Sequence, residues 1–291
     1  MSRLAVRLLA WALVLFAAPV RGDAFEHGLL WEVSRPGSPP SHLFGTMHVA
    51  DPRLLTLPPA AARAFSAART YVLEMFPDEA VAHRFSEAGR LDGGQRLSAL
   101  LASESFEALA GRLASRGMAR ERVDQLKPWA ALLIATATDG ASGESIDLAL
   151  YVQARFANKR IEELDSVDEQ IAVFDDLPQA TQLALLELAL ARHKALHAEL
   201  EESIRAYLRG DLTALMALAR RNGGGTPAGA AHQALLEKKI IHDRSVVMAY
   251  RAQPHLRRGG AFVAVGALHL YGDKGMLALL REDGWQVRRI H

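Results

Sequence analysis

HLFGTMH, residues 42–48, and FVAVGALH, residues 262–269, end apolar runs in the same way. In each stretch the apolar run meets a glycine, and a histidine follows three positions later. Runs of this composition predict buried β-strands. A glycine there lets the backbone turn or lets another group approach closely. The residues of the two Gly-x-x-His motifs are Gly45, His48, Gly266 and His269.

A third predicted strand, TYVLEM at 70–75, places Glu74 near its end. In a mostly parallel sheet, ligands bind beyond the carboxyl ends of the strands. If these strands are neighbours, His48, His269 and Glu74 converge. Two histidines and a carboxylate can bind a divalent metal and leave positions open for water. The same groups could form an acid/base cluster without a metal, or each histidine could be structural.

The predicted strands lie at the two ends of the chain, and predicted helices fill the middle. Strands are expected at 29–33, 41–46, 70–75, 161–167, 261–270 and 285–290. Helices are expected at 57–69, within 95–139, at 145–160, within 168–221 with a break at Gly210, at 234–256 and at 273–283. Residues 222–230, NGGGTPAGA, are expected to form a flexible loop. The pattern predicts an α/β fold with a central sheet built from N- and C-terminal strands. The large helical middle region packs on that sheet or forms a subdomain.

The composition is that of a globular protein with a sizeable core. Of 291 residues, 50% are hydrophobic and 23% charged, and there is no cysteine. The absence of cysteine excludes disulfides, cysteine nucleophiles, thiolate metal sites and a lipid-modified cysteine. The formal net charge of +1 favours neither nucleic acid nor an anionic membrane surface as a partner.

The first 22 residues have the features of a secretory signal peptide. Arg3 and Arg7 precede the apolar stretch 8–18, and small residues follow at possible cleavage points. The apolar stretch is shorter than the roughly 20 residues of a transmembrane helix. We therefore expect a signal peptide at 1–22, one domain at 23–291, no stable membrane span after cleavage, and a periplasmic or secreted protein. An uncleaved anchor is the alternative.

Several further polar residues have both a functional and a structural interpretation. Asp165 could be a carboxylate at a strand end or a helix N-cap. Arg244 could bind a substrate carboxylate or form a surface salt bridge. His193 and His197 have a metal-ligand spacing on a predicted helix, but their charged neighbours favour a solvated face. The weaker candidates are His242 with Asp243, the helix-opening turn GDKG at 272–275, and KPW at 127–129 as a helix break with a packed indole.

The chain resembles the TraB/GumN family, whose animal members are the Tiki proteases. The similar blocks follow in order along the chain and include LLWEV, LFGTMHVAD, YVLEM, LKPWA, IDLAL, ELDSVDEQ, AYLRGDL, HDRSVVMA and FVAVGALHLYGDKGMLALLREDGWQV. The resemblance implies a fold related to erythromycin-esterase-like and ChaN-like proteins. It also implies a metal-dependent activity, with manganese or cobalt in the Tiki members.

The family's functional residues correspond here to His48, Glu74, Arg244 and His269. Two positions differ from the usual pattern: Asp165 stands where the family often has Glu, and Ser245 where it often has Asn. The shorter carboxylate loses one methylene of reach. The serine loses an amide that could orient substrate.

The residues and the resemblance together predict an exported metal-dependent hydrolase acting on a peptide or on another amide or ester bond. His48, His269 and Glu74 would hold manganese, cobalt or zinc, with Glu74 as ligand or general base. Arg244 would bind the substrate or the developing oxyanion, and Asp165 would assist it. The alternatives are a metal-free hydrolase with His48 as base, a non-catalytic protein binding haem, metal or a small ligand, and an inactive scaffold. The sequence leaves the substrate and the oligomeric state open.

Overall fold

A single mixed sheet joins the two ends of the chain in the computed structural model, which describes residues 25–137, 144–221 and 223–291. The expected signal peptide at 1–22 lies outside these residues. The strands are β1 (Leu30–Ser34), β2 (Ser41–Thr46), β3 (Thr70–Leu73), β4 (Arg160–Glu163), β5 (Ala261–Gly266) and β6 (Gln286–Arg289). They form the order β4-β3-β5-β2-β1-β6. The predicted α/β class, with a sheet built from both chain ends, is confirmed.

Four neighbouring strands run parallel and place their carboxyl ends at one edge of the sheet. β5 pairs in parallel with both β2 and β3, and β3 pairs in parallel with β4. β1 and β6 extend the other side as antiparallel pairs. The register sets Thr46 beside Gly266, so the two Gly-x-x-His motifs leave the sheet next to each other.

The central position of β5 follows from its composition. Its residues from Ala261 to Val265 are all buried, as expected for a strand covered on both faces. The Phe262 ring packs against the rings of Phe44 and Phe65, with centroids 5.8 and 5.3 Å apart. This aromatic contact links β5 to β2 and to the first helix.

The helices cover the sheet and build the middle of the chain. They are α1 (Pro59–Ala67), α2 (Glu79–Ala88), α3 (Ser103–Ala114), α4 (Arg120–Val123), α5 (Pro128–Thr136), α6 (Ile146–Phe156), α7 (Val167–Asp175), α8 (Gln179–Ala191), α9 (His193–Leu208), α10 (Leu212–Arg221), α11 (Pro227–Glu237), α12 (Arg244–Arg258) and α13 (Met276–Glu282). A π-helical segment, Lys238–Asp243, joins α11 to α12. Within the described ranges, no helix combines the length and apolar character needed to cross a bilayer.

The helical middle has an apolar core of its own beside the core of the sheet. Leu109 of α3, Val123 of α4, Ala131 of α5 and Leu186 of α8 belong to one buried cluster, separate from the cluster around β5. The middle region is therefore a helical layer with its own packing rather than a simple cover of the sheet.

Several predicted boundaries were wrong. The strand expected at 261–270 ends at Gly266, and Ala267–Leu270 form a 3₁₀ helix. The segment 222–230 is not a loop throughout, because α11 begins at Pro227. The Thr226 hydroxyl accepts a hydrogen bond from the amide of Gly229 at 3.1 Å, and a proline in the first turn favours helix initiation. The strand expected at 161–167 ends at Glu163, because Ser166 and Glu169 form a capping box that starts α7.

Candidate active site

The carboxyl ends of the four parallel strands bring the predicted site residues together. His48 follows β2, Glu74 follows β3 and His269 follows β5. Their reactive atoms face one another: Glu74 Oε2 lies 3.7 Å from His48 Nε2 and 3.9 Å from His269 Nε2. The convergence expected from neighbouring strands is therefore present in the structure.

The motif glycines are required by close contacts rather than by unusual backbone angles. A Cβ on Gly45 would lie 2.9 Å from the Cα of Ala267, so β2 could not sit against the chain that leaves β5. A Cβ on Gly266 would point into the site, 3.2 Å from His48 Nε2 and 3.5 Å from Glu74 Oε2. One glycine thus allows the two motifs to touch, and the other keeps the space between the reactive atoms open.

His48 is held by a carboxylate that the sequence interpretation missed. Its Nδ1 lies 2.8 Å from Oδ2 of Asp147, and the hydroxyl of Thr46 donates to Oδ1 of Asp147 at 2.6 Å. The charge of Asp147 raises the pKa of His48 well above 6.5, against the opposing effect of burial. Burial alone would raise the pKa of Asp147, but His48 lowers it below 3.8. Each group thus stabilises the charged form of the other.

His269 is buried and neutral, and a serine fixes its tautomer. The hydroxyl of Ser245 donates to the carbonyl of Ile241 at 2.7 Å and lies 2.9 Å from His269 Nδ1. Because the hydroxyl has one proton and gives it to the carbonyl, Nδ1 of His269 donates to the serine oxygen. Nε2 then presents its lone pair toward Glu74. Burial lowers the pKa of His269 to about 4.

Glu74 is an ionised carboxylate with partners on both oxygens. Oε1 accepts from Arg244 Nη2 at 2.7 Å and from Gln170 at 3.4 Å, and Oε2 accepts from the amide of Gly266 at 3.0 Å. Burial alone would raise its pKa, but the neighbouring His48 and the positive charges of His269 and Arg244 lower it well below 4.5.

Arg244 is a buried bridge between two strand-end carboxylates. Besides Glu74, it contacts Asp165, whose Oδ2 accepts from Arg244 Nε at 2.7 Å. The charges of both carboxylates raise the pKa of Arg244 against the opposing effect of burial. Burial raises the pKa of Asp165 to about 6, against the lowering effect of the arginine. Asp165 contacts Arg244 and does not belong to the described lining of the cavity beside it. It is also not the helix N-cap, which is Ser166.

A cavity of about 790 Å³ opens beside this cluster. His48 is its accessible member, with 57% of its side chain exposed, whereas 10% of Glu74 and 7% of His269 are exposed. Arg244 and Gly266 also line it. The cluster is therefore accessible from the cavity on the His48 side.

The donor atoms are of the kinds that bind divalent metals, although the side chains do not form a complete metal site in the described structure. Both imidazoles face Glu74 through Nε2 and have Nδ1 fixed by a partner, as metal-bound histidines usually do. Gly266 keeps the space between them free. Within the described part of the chain, however, no three His, Cys, Asp or Glu side chains form a group that could hold a metal as they stand. The donors fit the expected metal, and ligation would require the carboxylate to exchange hydrogen-bond partners.

The weaker candidates lie apart from the cluster. Asp243 pairs with Lys238, and His242 pairs with Glu237. GDKG precedes α13, a helix of seven residues. The expected packed indole at KPW is present, since Trp129 is buried and stacks on Phe174. A solvated face was the favoured interpretation of His193 and His197, but His193 is half-buried and lines the cavity, and the side chain of His197 lies outside the described residues.

Sequence reasoning missed Asp147 and Tyr207. Asp147 stands in the first turn of α6, after the N-cap Ser145, where an acidic residue is usual for helix-dipole reasons alone. Tyr207 donates from its buried hydroxyl to the carbonyl of Gly45 at 2.8 Å and so holds the first motif. The available signal was their position in the family-like blocks IDLAL and AYLRGDL, which gives no indication of a partner.

These features define an α/β protein with a buried histidine–glutamate–arginine centre at the carboxyl edge of four parallel strands. The chain belongs to the TraB/PrgY/gumN family, whose profile matches residues 29–289. It is 25% identical to the Metalloprotease TIKI2 of Danio rerio, over 90% of this chain and 60% of that protein. It is 24% identical to Uncharacterized protein YbaP of Shigella flexneri and of Escherichia coli K12, over 91% of this chain and 96% of each relative. No solved structure matches the chain.

Proposed function

We propose that this protein is an exported hydrolase that splits an ester or amide bond with the help of a divalent metal. The observation that carries the proposal is the convergence of His48 Nε2 and His269 Nε2 on Glu74 Oε2, with both Nδ1 atoms fixed by other side chains. The distant similarity to a protein named as a metalloprotease supports the same chemistry. Because the chain spans about 60% of that relative, peptide hydrolysis is one possibility among amide and ester substrates.

His48, His269 and Glu74 would hold manganese, cobalt or zinc. A divalent metal held by these residues would supply a bound water of lowered pKa and would polarise the substrate carbonyl. Asp147 keeps His48 in the tautomer that presents Nε2, and Ser245 does the same for His269. The lowered pKa of Glu74 makes it a poor proton acceptor and a good anionic ligand, which favours the ligand role over the role of general base.

Arg244 and Asp165 would act through Glu74 rather than on the substrate. Arg244 donates through Nε to Asp165 and through Nη2 to Glu74, and these two bonds fix the orientation of its guanidinium group. Its positive charge keeps Glu74 ionised and fixes the carboxylate at the end of β3. The expected substrate-binding role of Asp165 has no support in this geometry. We assign both residues to positioning Glu74.

The test is metal content and hydrolysis measured on the same preparations. Mature protein, His48→Ala and His269→Ala are loaded with each cation and assayed with p-nitrophenyl acetate and a fluorogenic peptide library. His83→Ala is the matched control, because His83 is exposed and pairs only with Glu87 in the described structure. Stoichiometric metal that both motif variants lose and the control keeps would support the proposal. Equal metal binding in all four would overturn it.

A metal-free hydrolase is the second candidate, and the Asp147–His48 pair favours it. A histidine oriented by a carboxylate can act as a general base for water. The raised pKa of His48 would then confine the activity to pH values above that pKa. Activity that survives exhaustive chelation would select this candidate. Ligand or haem binding without turnover stays the non-catalytic alternative.

Export through the signal peptide at 1–22 stays part of the proposal. Expression in a Gram-negative host and intact-mass measurement of the protein from the periplasmic fraction test it. Loss of the mass of residues 1–22 is expected, and an uncleaved protein in the membrane fraction would contradict it.

A further inference from the structure

The cavity beside His48 is apolar over most of its described lining. The ionic cluster lies at the sheet edge of the cavity, and α8, α9, α11 and the π-helical segment supply walls of it. The wall residues that matter here are Leu185, Leu188, Leu196, Leu200, Leu236 and Ile240. A volume of about 790 Å³ lies within the roughly 300–1,000 Å³ typical of ligand sites.

Several polar side chains of the lining have partners inside the protein, whereas the buried Oε2 of Glu199 has no hydrogen-bond partner among the described residues. The hydroxyl of Thr136 donates to the carbonyl of Leu132 at 2.8 Å, and that of Ser203 donates to the carbonyl of Glu199 at 2.8 Å. Arg192 pairs with Glu199 at 2.6 Å. These groups offer little to a ligand that needs many hydrogen bonds.

This lining suits a hydrocarbon chain better than a polypeptide. Each peptide unit carries an N–H and a C=O that need partners once water is excluded. A methylene chain has no such groups and gains free energy from each carbon removed from water. A peptide could place single apolar side chains in the cavity, but its backbone would have to remain outside.

We infer that the substrate of this hydrolase carries a medium or long acyl chain, which the cavity encloses while the ester or amide carbonyl lies beside His48. The inference rests on the proposed function for the reaction and on the cavity for the substrate class. Hydrolysis would break the bond between the acyl carbon and its oxygen or nitrogen. One water would supply the hydroxyl of the fatty acid and the proton of the leaving alcohol or amine.

The expected signature is a dependence on chain length. Each methylene that enters the cavity should raise kcat/KM by about fourfold. The gain should stop when the chain fills the cavity. p-Nitrophenyl esters from acetate to hexadecanoate, assayed with the manganese-loaded protein, give this series directly. Binding of sodium dodecanoate and sodium butyrate by calorimetry gives a second readout that needs no turnover.

Ala219→Phe narrows the cavity, because Ala219 lines it from α10. It should lower the ratio of kcat/KM for the dodecanoate ester to kcat/KM for the acetate ester by at least tenfold. Ala217→Phe is the matched control, since Ala217 lies on the same helix, is exposed and is outside the described lining. If Ala219→Phe has a lower melting temperature than the wild type, Ala189→Phe is used instead, because Ala189 also lines the cavity.

The outcomes separate this inference from the proposed function. Tight dodecanoate binding without any hydrolysis would leave the acyl site standing and overturn the hydrolase. Hydrolysis that does not change with chain length, together with equal weak binding of both fatty acids, would overturn the acyl site and leave the hydrolase standing. Cleavage of apolar peptides in preference to every ester would likewise overturn it, in favour of a peptide substrate.

Discussion

Oδ2 of Asp147 lies 2.8 Å from Nδ1 of His48, although the two residues are 99 positions apart in the chain. The other oxygen of the carboxylate accepts from Thr46, so Asp147 cannot turn away from the histidine. This pair decides two properties of the site. It fixes which nitrogen of His48 faces Glu74, and it raises the pKa of His48.

Metal affinity should rise as the pH rises through the pKa of His48, because ligation needs the neutral imidazole and the proton competes below that pH. Asp147→Asn removes the main cause of the raised pKa, so the rise should move to lower pH. The same variant should lose about 10–100-fold in affinity at high pH, where only the orienting role remains. Calorimetric titration with Mn²⁺ on both sides of neutrality checks both effects. If the pH midpoint of the rise in Mn²⁺ affinity is the same in Asp147→Asn as in the wild type, Asp147 is not the cause of the raised pKa of His48.

The stability of the metal-free protein should fall, whereas metal affinity rises, as the pH rises through the pKa of His48. The pKa of His48 in the folded state lies above its ordinary value of 6.5, so the protonated form stabilises the fold. That contribution is fully present below pH 6.5 and is lost as the pH rises through the folded-state pKa. His48→Gln should therefore destabilise the protein in mild acid and much less in alkaline solution. Urea unfolding of the chelated protein at both pH values measures the difference.

Ser245→Ala should cost about 1–3 kcal/mol of unfolding free energy, because it leaves the buried Nδ1–H of His269 without its acceptor. Ser203→Ala is the matched control. Its hydroxyl also donates to the carbonyl four residues earlier, but no histidine depends on it in the described contacts. Its cost should stay below about 1 kcal/mol, because the half-buried hydroxyl loses one ordinary hydrogen bond and leaves no buried donor unpaired. Equal costs for the two variants in urea unfolding would show that Ser245 has no special role toward His269.

Arg244→Met should destabilise the protein by about 3–5 kcal/mol, because two buried carboxylates, Glu74 and Asp165, lose their shared counter-charge. Arg84→Met is the control, since Arg84 forms an exposed pair with Asp168. An exposed pair contributes about 0–1 kcal/mol. Chemical denaturation of both variants measures the costs. A loss of less than about 1 kcal/mol in Arg244→Met would contradict the buried bridge described here.

Gly266→Ala should impair metal binding and catalysis more than folding. The added Cβ would lie 3.2 Å from His48 Nε2 and 3.4 Å from Cδ2 of His269, inside the space between the imidazoles. Gly45→Ala provides the contrast, because its Cβ meets the backbone of Ala267 at 2.9 Å and should lower stability first. Thermal melts and Mn²⁺ titrations of both variants separate the two roles. If the two variants have the same melting temperature and the same Mn²⁺ affinity, the two glycines do not have the separate roles assigned to them.

The strands and their common edge could be predicted from the sequence because each depends on local patterns. Short apolar runs ending at Gly45 and Gly266 predict buried strands, and their likeness predicts that the strands leave the sheet together. Helix boundaries were harder, since caps compete with composition. The capping box at Ser166 and the Thr226–Pro227 start of α11 overrode the expected strand and loop.

The sequence by itself determined the α/β class, the family and the strand-end residues His48, Glu74 and His269. Only the tertiary structure decided what surrounds them. Asp147 reaches His48 from α6, Ser245 reaches His269 from α12, and Arg244 bridges two carboxylates in the protein interior instead of meeting solvent. The physical reason is that a periodic pattern reports which face of an element is buried. Tautomer, charge state and free space around a side chain depend on partners far away in the chain, which local sequence does not encode.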